Sequence, residues 1–103
     1  MPSYRKTRRA DEDLQEIYRY TRRMWGRAQA ELYIRGLEQR FRALADNPLT
    51  SIVREDLRPE GLRSVVHGSH VVFYQPQPDG VLIVRVLHGR QDVRTHLGGD
   101  EEP

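Results

Sequence analysis

Cysteine is missing from this chain, which excludes a disulfide framework and thiolate metal sites and fits a reducing compartment. No apolar run approaches the ~20 residues that a membrane helix needs. The charged start, MPSYRKTRRADEDL, lacks the apolar centre of a signal peptide. These absences predict a soluble, cytoplasmic protein. Also lacking are a GxSxG elbow, an HExxH pair and a glycine-rich phosphate loop, since Gly98-Gly99 precedes only the tail; together they leave no motif for nucleophilic hydrolysis, a metal or a nucleotide cofactor. Lysine occurs once, at Lys6, so all but one of the seventeen cations are arginine. Arginine is favoured where carboxylates or phosphates are gripped by a planar fork, although a GC-rich coding sequence produces the same bias.

What is present is a chain of 103 residues and 12.1 kDa, 37% hydrophobic and 31% charged. That length suits a single domain with one modest core, expected over residues 1–97 with a disordered acidic tail at 98–103. The net charge of +2 conceals an asymmetry: residues 1–45 carry eleven Arg and Lys against six Asp and Glu, and residues 46–103 carry six against nine.

Thr7 is a candidate N-cap, and beyond it Ala10, Leu14, Ile17, Tyr18, Thr21 and Trp25 recur at helical spacing until Gly26. A second helix follows from Ala30, Tyr33, Ile34, Leu37, Phe41, Leu44 and Ala45, ending at Asn47-Pro48. The pair forms an antiparallel hairpin. Periodicity assigns the aromatic positions Tyr18, Trp25, Tyr33 and Phe41 to the core. Gly36, inside the second helix, suggests close packing or mere tolerance. Pro48 to Glu60 has no period and reads as a surface loop in which Arg54 and Arg58 face a partner or solvent.

From Gly61 the period becomes two. Val65 and His67 alternate with Ser64 and Val66, Gly68-Ser69 is a two-residue hairpin turn, and Val71 to Gln75 alternate again. Pro76 to Gly80 reads as a longer turn before the strand Val81 to Leu87. This last run suits a central strand covered on both faces. It breaks off into His88, Gly89, Arg90, Gln91 and Asp92, which places polar groups at the end of a rigid element. The expected fold is α+β, in the order β-α-α-β-β-β: an N-terminal strand, then a helix hairpin packed on a small antiparallel sheet.

Two kinds of chemistry fit these residues. A metal-independent ribonuclease needs a base for the 2′-hydroxyl, an acid for the leaving oxygen and cations around the phosphate, and Arg63, His67, His70, Arg85, His88 and Arg90 supply such groups. A surface that recognises another macromolecule needs only shape and charge. Neither helix carries the punctuation of a helix-turn-helix, so sequence-specific DNA reading is not expected.

Several local strings, taken in order, resemble the RelE/ParE superfamily of type II toxins, and within it the ParE branch. They are Ala10 with Asp13-Leu14 and Ile17, Trp25-Gly26 with Gln29-Ala30 and Tyr33, and Leu44-Ala45 with Asn47-Pro48. Gly61-Leu62-Arg63, His70 with Phe73-Tyr74, and Arg85-Val86-Leu87-His88 with Asp92 and His96-Leu97 complete the series. The resemblance implies a RelE-like fold, a cognate antitoxin and, for the ParE branch, inhibition of DNA gyrase without a catalytic centre. The target-facing surface would then comprise Arg63, Arg85, His88, Arg90 and Asp92. Ribonuclease members, ribosome-dependent mRNA endonucleases, commonly use a tyrosine near the C-terminus; here no tyrosine follows Tyr74. On that alternative the catalytic residues would be Arg63, His67 and His88. An acidic, amphipathic antitoxin segment would set its carboxylates against Arg19, Arg22, Arg23 and Arg27.

Overall fold

The computed structural model describes residues 2–97; the expected disordered tail at 98–103 lies outside them. Strand β1 (Ser3–Lys6) leads into helix α1 (Arg8–Trp25), which Gly26 separates from helix α2 (Arg27–Asp46). A two-residue strand β2 (Ile52–Val53) precedes β3 (Arg63–His67), β4 (His70–Gln77) and β5 (Gly80–His88), and a short helix α3 (Val93–Leu97) follows. The sheet has the order β1-β5-β4-β3-β2.

The helix boundaries follow from their caps. Thr7 is extended and its hydroxyl accepts the Ala10 N–H at 3.0 Å, satisfying one of the unpaired donors of the first turn. Gly26, at φ 95°, accepts the bend between the helices, and its N–H donates to Arg22 O. Leu14, Ile17, Leu37, Phe41 and Leu44 project from the hairpin onto Val72, Tyr74, Val81, Ile83 and Val86 of the sheet. Tyr4 of β1 closes this core edge-on against Phe41, with ring centroids 5.3 Å apart.

Four expectations need correction. The sheet is mixed rather than antiparallel, because β1 lies parallel to β5, Ser3 opposite Gly80 and Lys6 opposite Ile83. The turn expected at Pro76 to Gly80 is shorter: Pro76 and Gln77 belong to β4, opposite Val81 and Gly80. The stretch from Pro48 to Glu60 is not wholly a surface loop. It contributes β2 and inserts the fully buried Leu57 into a second apolar cluster with Leu62, Phe73, Val84, Leu87 and Leu97, on α3. That cluster covers the other side of β5, as expected of a central strand. Finally, Trp25 is 71% exposed rather than in the core, because it borders an open cleft at the end of the hairpin.

One irregularity matters for the functional residues. Phe73 pairs with Arg85 but Tyr74 pairs with Ile83, so β5 carries one extra residue, Val84. Such a bulge bends a strand and leaves backbone groups to be satisfied elsewhere. Thr7 Oγ1 donates to Val84 O at 2.8 Å, and the Val86 N–H donates to Asp13 Oδ2 at 2.9 Å. Beyond the end of β1, α1 therefore completes the edge of β5.

Candidate functional site

The residues that could carry function divide into three groups according to what β5 and its neighbours do with them. Arg85 stands at the bulge, only 8% exposed. Its guanidinium grips Asp13 of α1 through Nε at 2.8 Å and through Nη2 at 2.9 Å. These hydrogen bonds, opposed by burial, raise its pKa further above the ordinary arginine value. Arg85, expected on the target-facing surface, is thus buried, with its guanidinium engaged by Asp13. Arg63 is also engaged, donating through Nη1 to Ser51 O at 2.6 Å. It lies four positions from His67, about 13 Å along an extended strand.

The second group is an imidazole cluster. His67 and His70 flank the Gly68-Ser69 turn and pair across it, and His70 in turn pairs with His88 on β5. The His70 and His88 rings meet edge-on at 5.4 Å. Tyr33 of α2 locks the cluster: its hydroxyl donates to His67 O at 3.1 Å and contacts His70 Nδ1 at 2.7 Å. Gly36, one turn along α2, leaves room for this approach; a Cβ there would stand 3.4 Å from His67 Nε2. Burial, with His88 and His67 nearby, depresses the His70 pKa to about 4. Burial, and then Arg40, lowers that of His67.

This depression fixes a sign. His70 binds a proton more readily unfolded than folded, so its contribution is complete above pH 6.5 and is lost as pH falls toward 4. For a part-buried ring, partly screened by solvent, the loss amounts to about 1 to 2 kcal/mol. Urea unfolding of the wild type and of His70→Gln, compared between pH 7.5 and 5, should show the two stabilities converging as the pH drops. Parallel curves would refute the assignment.

The third group is the corner after β5. His88 Nδ1 accepts the Arg90 N–H at 3.0 Å, and the His88 N–H donates to Gln91 Oε1 at 2.7 Å. Asp92 caps α3, its carboxylate accepting the Arg94 N–H at 3.2 Å. Arg94 reaches back to Asp56 at 3.6 Å, which ties α3 to the loop that carries Leu57. Hydrogen bonding from Arg54 holds the Asp56 carboxyl below its usual range. Arg90 is exposed and enters no ion pair among the described residues.

The structure therefore places His88, Arg90 and Asp92 at one corner after β5, with His67 and His70 beside it, whereas Arg63 and Arg85 are engaged by Ser51 O and by Asp13. Among the described residues, no three His, Cys, Asp or Glu side chains are grouped to hold a metal ion. On the helix hairpin Arg19 and Arg27 lie in exposed pairs with Glu16 and Glu31, at 3.1 and 3.0 Å. Arg22 and Arg23 have no carboxylate within ion-pair distance among the described residues.

Sequence reasoning missed the cleft beside this corner. Tyr20, Thr21, Trp25, Gln29, Tyr33, Ser69, His70 and His88 line about 570 Å³ between the hairpin end and the β3–β4 turn. The only local hint was Trp25 itself, at the last position of a stripe with a helix stop behind it.

Comparison with known proteins agrees with this architecture. A solved structure described as the chromosomal ParDE TA system from P. aeruginosa superposes with a TM-score of 0.70 at 20% identity, over 85% of this chain and 96% of that one. It shares the fold. Toxin ParE1 of Caulobacter vibrioides is 42% identical over 95% of this chain and 100% of its own length. Toxin ParE of Escherichia coli is 40% identical over 94% of each chain. The model of the ParE toxin of type II toxin-antitoxin system, parDE, matches residues 4–93, so the chain belongs to the ParE family of toxins.

Proposed function

We propose that this toxin poisons DNA gyrase by surface recognition, without breaking bonds itself, and that a cognate antitoxin holds it inactive in the bacterial cytoplasm. The observation that carries this reading is the engagement of its acid–base and cationic candidates within the fold. Arg85 is bound to Asp13, Arg63 to Ser51 O, and His70 to Tyr33. A ribonuclease would need an acid, a base and a cation converging on one phosphate. The corner of His88, Arg90 and Asp92 instead offers a small, rigidly held surface of mixed charge. No helix of the described residues is long and apolar enough to cross a membrane.

The antitoxin contact rests on Arg19, Arg22, Arg23 and Arg27. The pairs of Arg19 and Arg27 are exposed and screened by solvent, so a partner's carboxylates can replace Glu16 and Glu31.

A supercoiling assay with purified gyrase tests the proposal. Added toxin should block supercoiling and accumulate cleaved DNA, and Arg90→Glu should abolish the effect while leaving the thermal melt unchanged, since Arg90 is exposed. Full gyrase activity at large toxin excess, with codon-phased message cleavage that Arg63→Ala or His88→Ala abolishes, would establish the mRNA endonuclease instead.

A further inference from the structure

The aromatic cleft at the end of the hairpin adjoins the proposed gyrase corner and shares only His88 with it, and its lining is unusual. Three of its eight residues, Tyr20, Trp25 and Tyr33, are aromatic; the other five are polar and none is formally charged. Its volume of about 570 Å³ lies within the range of small-ligand sites. Trp25 is 71% exposed and Tyr20 52% exposed, so two large flat surfaces stand open to solvent at the mouth. The guanidinium of Arg23 lies 5.7 Å from the centre of the Tyr20 ring, and Arg22 sits three residues from Trp25, a neighbouring position on the helix surface. Neither arginine has a carboxylate within ion-pair distance among the described residues.

We propose that this cleft binds single-stranded nucleic acid, taking one base between the aromatic side chains and the adjoining phosphates on Arg22 and Arg23. The occupant must be flat, to use the rings, and polar at its edge. A purely apolar side chain would leave the hydroxyls, the amide and the imidazoles unpaired, at a cost of about 1 to 3 kcal/mol for each buried group. It must also carry negative charge just outside the cleft. A nucleotide unit meets all three requirements. Aromatic faces accept any base, and arginines beside them neutralise the backbone without reading sequence.

The imidazoles supply the edge contacts. Tyr33 engages His70 through Nδ1, which leaves Nε2 as the remaining polar atom of that ring. His88 Nδ1 accepts the Arg90 N–H, so its hydrogen resides on Nε2 as a donor. The cleft thus offers two imidazole edges to a base. A strand, rather than a free nucleotide, is favoured because Arg22 and Arg23 together supply two positive charges, one for each of two successive phosphates.

Trp25 is the sole tryptophan, so its fluorescence reports occupancy of the purified toxin, without antitoxin or gyrase. Titration with a 15-nucleotide oligothymidylate should quench it saturably. The slope of log K against log salt should be about −1.4, the value for two phosphates on a single strand. Followed by anisotropy of a labelled oligonucleotide, Trp25→Ala should weaken binding at least fivefold, as expected for loss of one stacked base. The double variant Arg22→Ala/Arg23→Ala should flatten the salt slope toward zero. All three residues are exposed, and unchanged circular dichroism would establish that the variants fold. The proposal is overturned if no saturable quench occurs, if Trp25→Ala binds as tightly as wild type, if duplex of the same length binds equally, or if thymidine monophosphate matches the oligonucleotide. It is likewise overturned if the oligonucleotide fails to bind while an acidic antitoxin peptide saturates the same fluorescence change. Because no gyrase is present, this result is independent of the target assigned above.

Discussion

Replacing Asp13 by alanine is expected to lower stability by about 3 to 5 kcal/mol, the cost of leaving a buried charge without its partner. The variant strands the Arg85 guanidinium and also removes the acceptor for the Val86 N–H. In a domain of this size the melting temperature should fall by roughly 15 to 25 °C. Against a total stability of about 5 to 15 kcal/mol, many molecules would be unfolded at growth temperature. Asp13→Asn keeps an acceptor for Val86 and should cost less. Combining it with Arg85→Met removes the isolated charge and should recover most of the loss, since apolar replacement of buried ion pairs is often neutral. The double variant also separates folding from recognition. If it melts near the wild type and still inhibits the target, Arg85 serves the fold alone. A stable double variant without inhibitory activity would return Arg85 to the functional surface.

Gly80→Ala should be of comparable severity. Gly80 has φ 148°, and an added Cβ would collide with the backbone carbonyl of Ser3 on the neighbouring strand. Neither group is a flexible side-chain end, so β1 must move away from β5. That disrupts the register from Ser3–Gly80 to Lys6–Ile83 and withdraws Tyr4 from Phe41. Backbone strain of about 1 to 3 kcal/mol adds to this loss, giving about 3 kcal/mol or more and a melting point lower by at least 12 °C. A thermal melt within a few degrees of the wild type would show that β1 contributes little to the folded state.

The parts of this fold that depend on neighbours in sequence were legible in advance. Thr7, Gly26 and Asn47 mark the helix ends because caps are local chemistry. The Gly68-Ser69 turn and the alternation around it fix β3 and β4 for the same reason. What escaped depends on distant partners. Asp13 and Arg85 are 72 residues apart, and nothing near either residue signals that they meet. Leu57 is a single apolar residue in aperiodic chain, and α3, at five residues, is too short to display a helical stripe. Trp25 obeyed the period of α1 and was assigned to the core, because a stripe does not reveal where the surface it packs against stops. The candidate site was half readable: the polar end of β5 was located, whereas the aromatic cleft arises only when α1, α2 and the β3–β4 turn converge.

The topology also has a temporal consequence. The helix hairpin ends at Asp46, but the sheet strands it packs on run to His88, and β1 itself pairs with residues 80–83. At bacterial elongation rates of about 5 to 20 residues per second, translating the chain between those two points takes roughly 2 to 8 s. During synthesis the ribosome therefore presents two amphipathic helices with their oily sides uncovered, and the first strand waits for its mate. Whatever captures this polypeptide early, chaperone or neutralising partner, encounters the hairpin seconds before a finished domain exists.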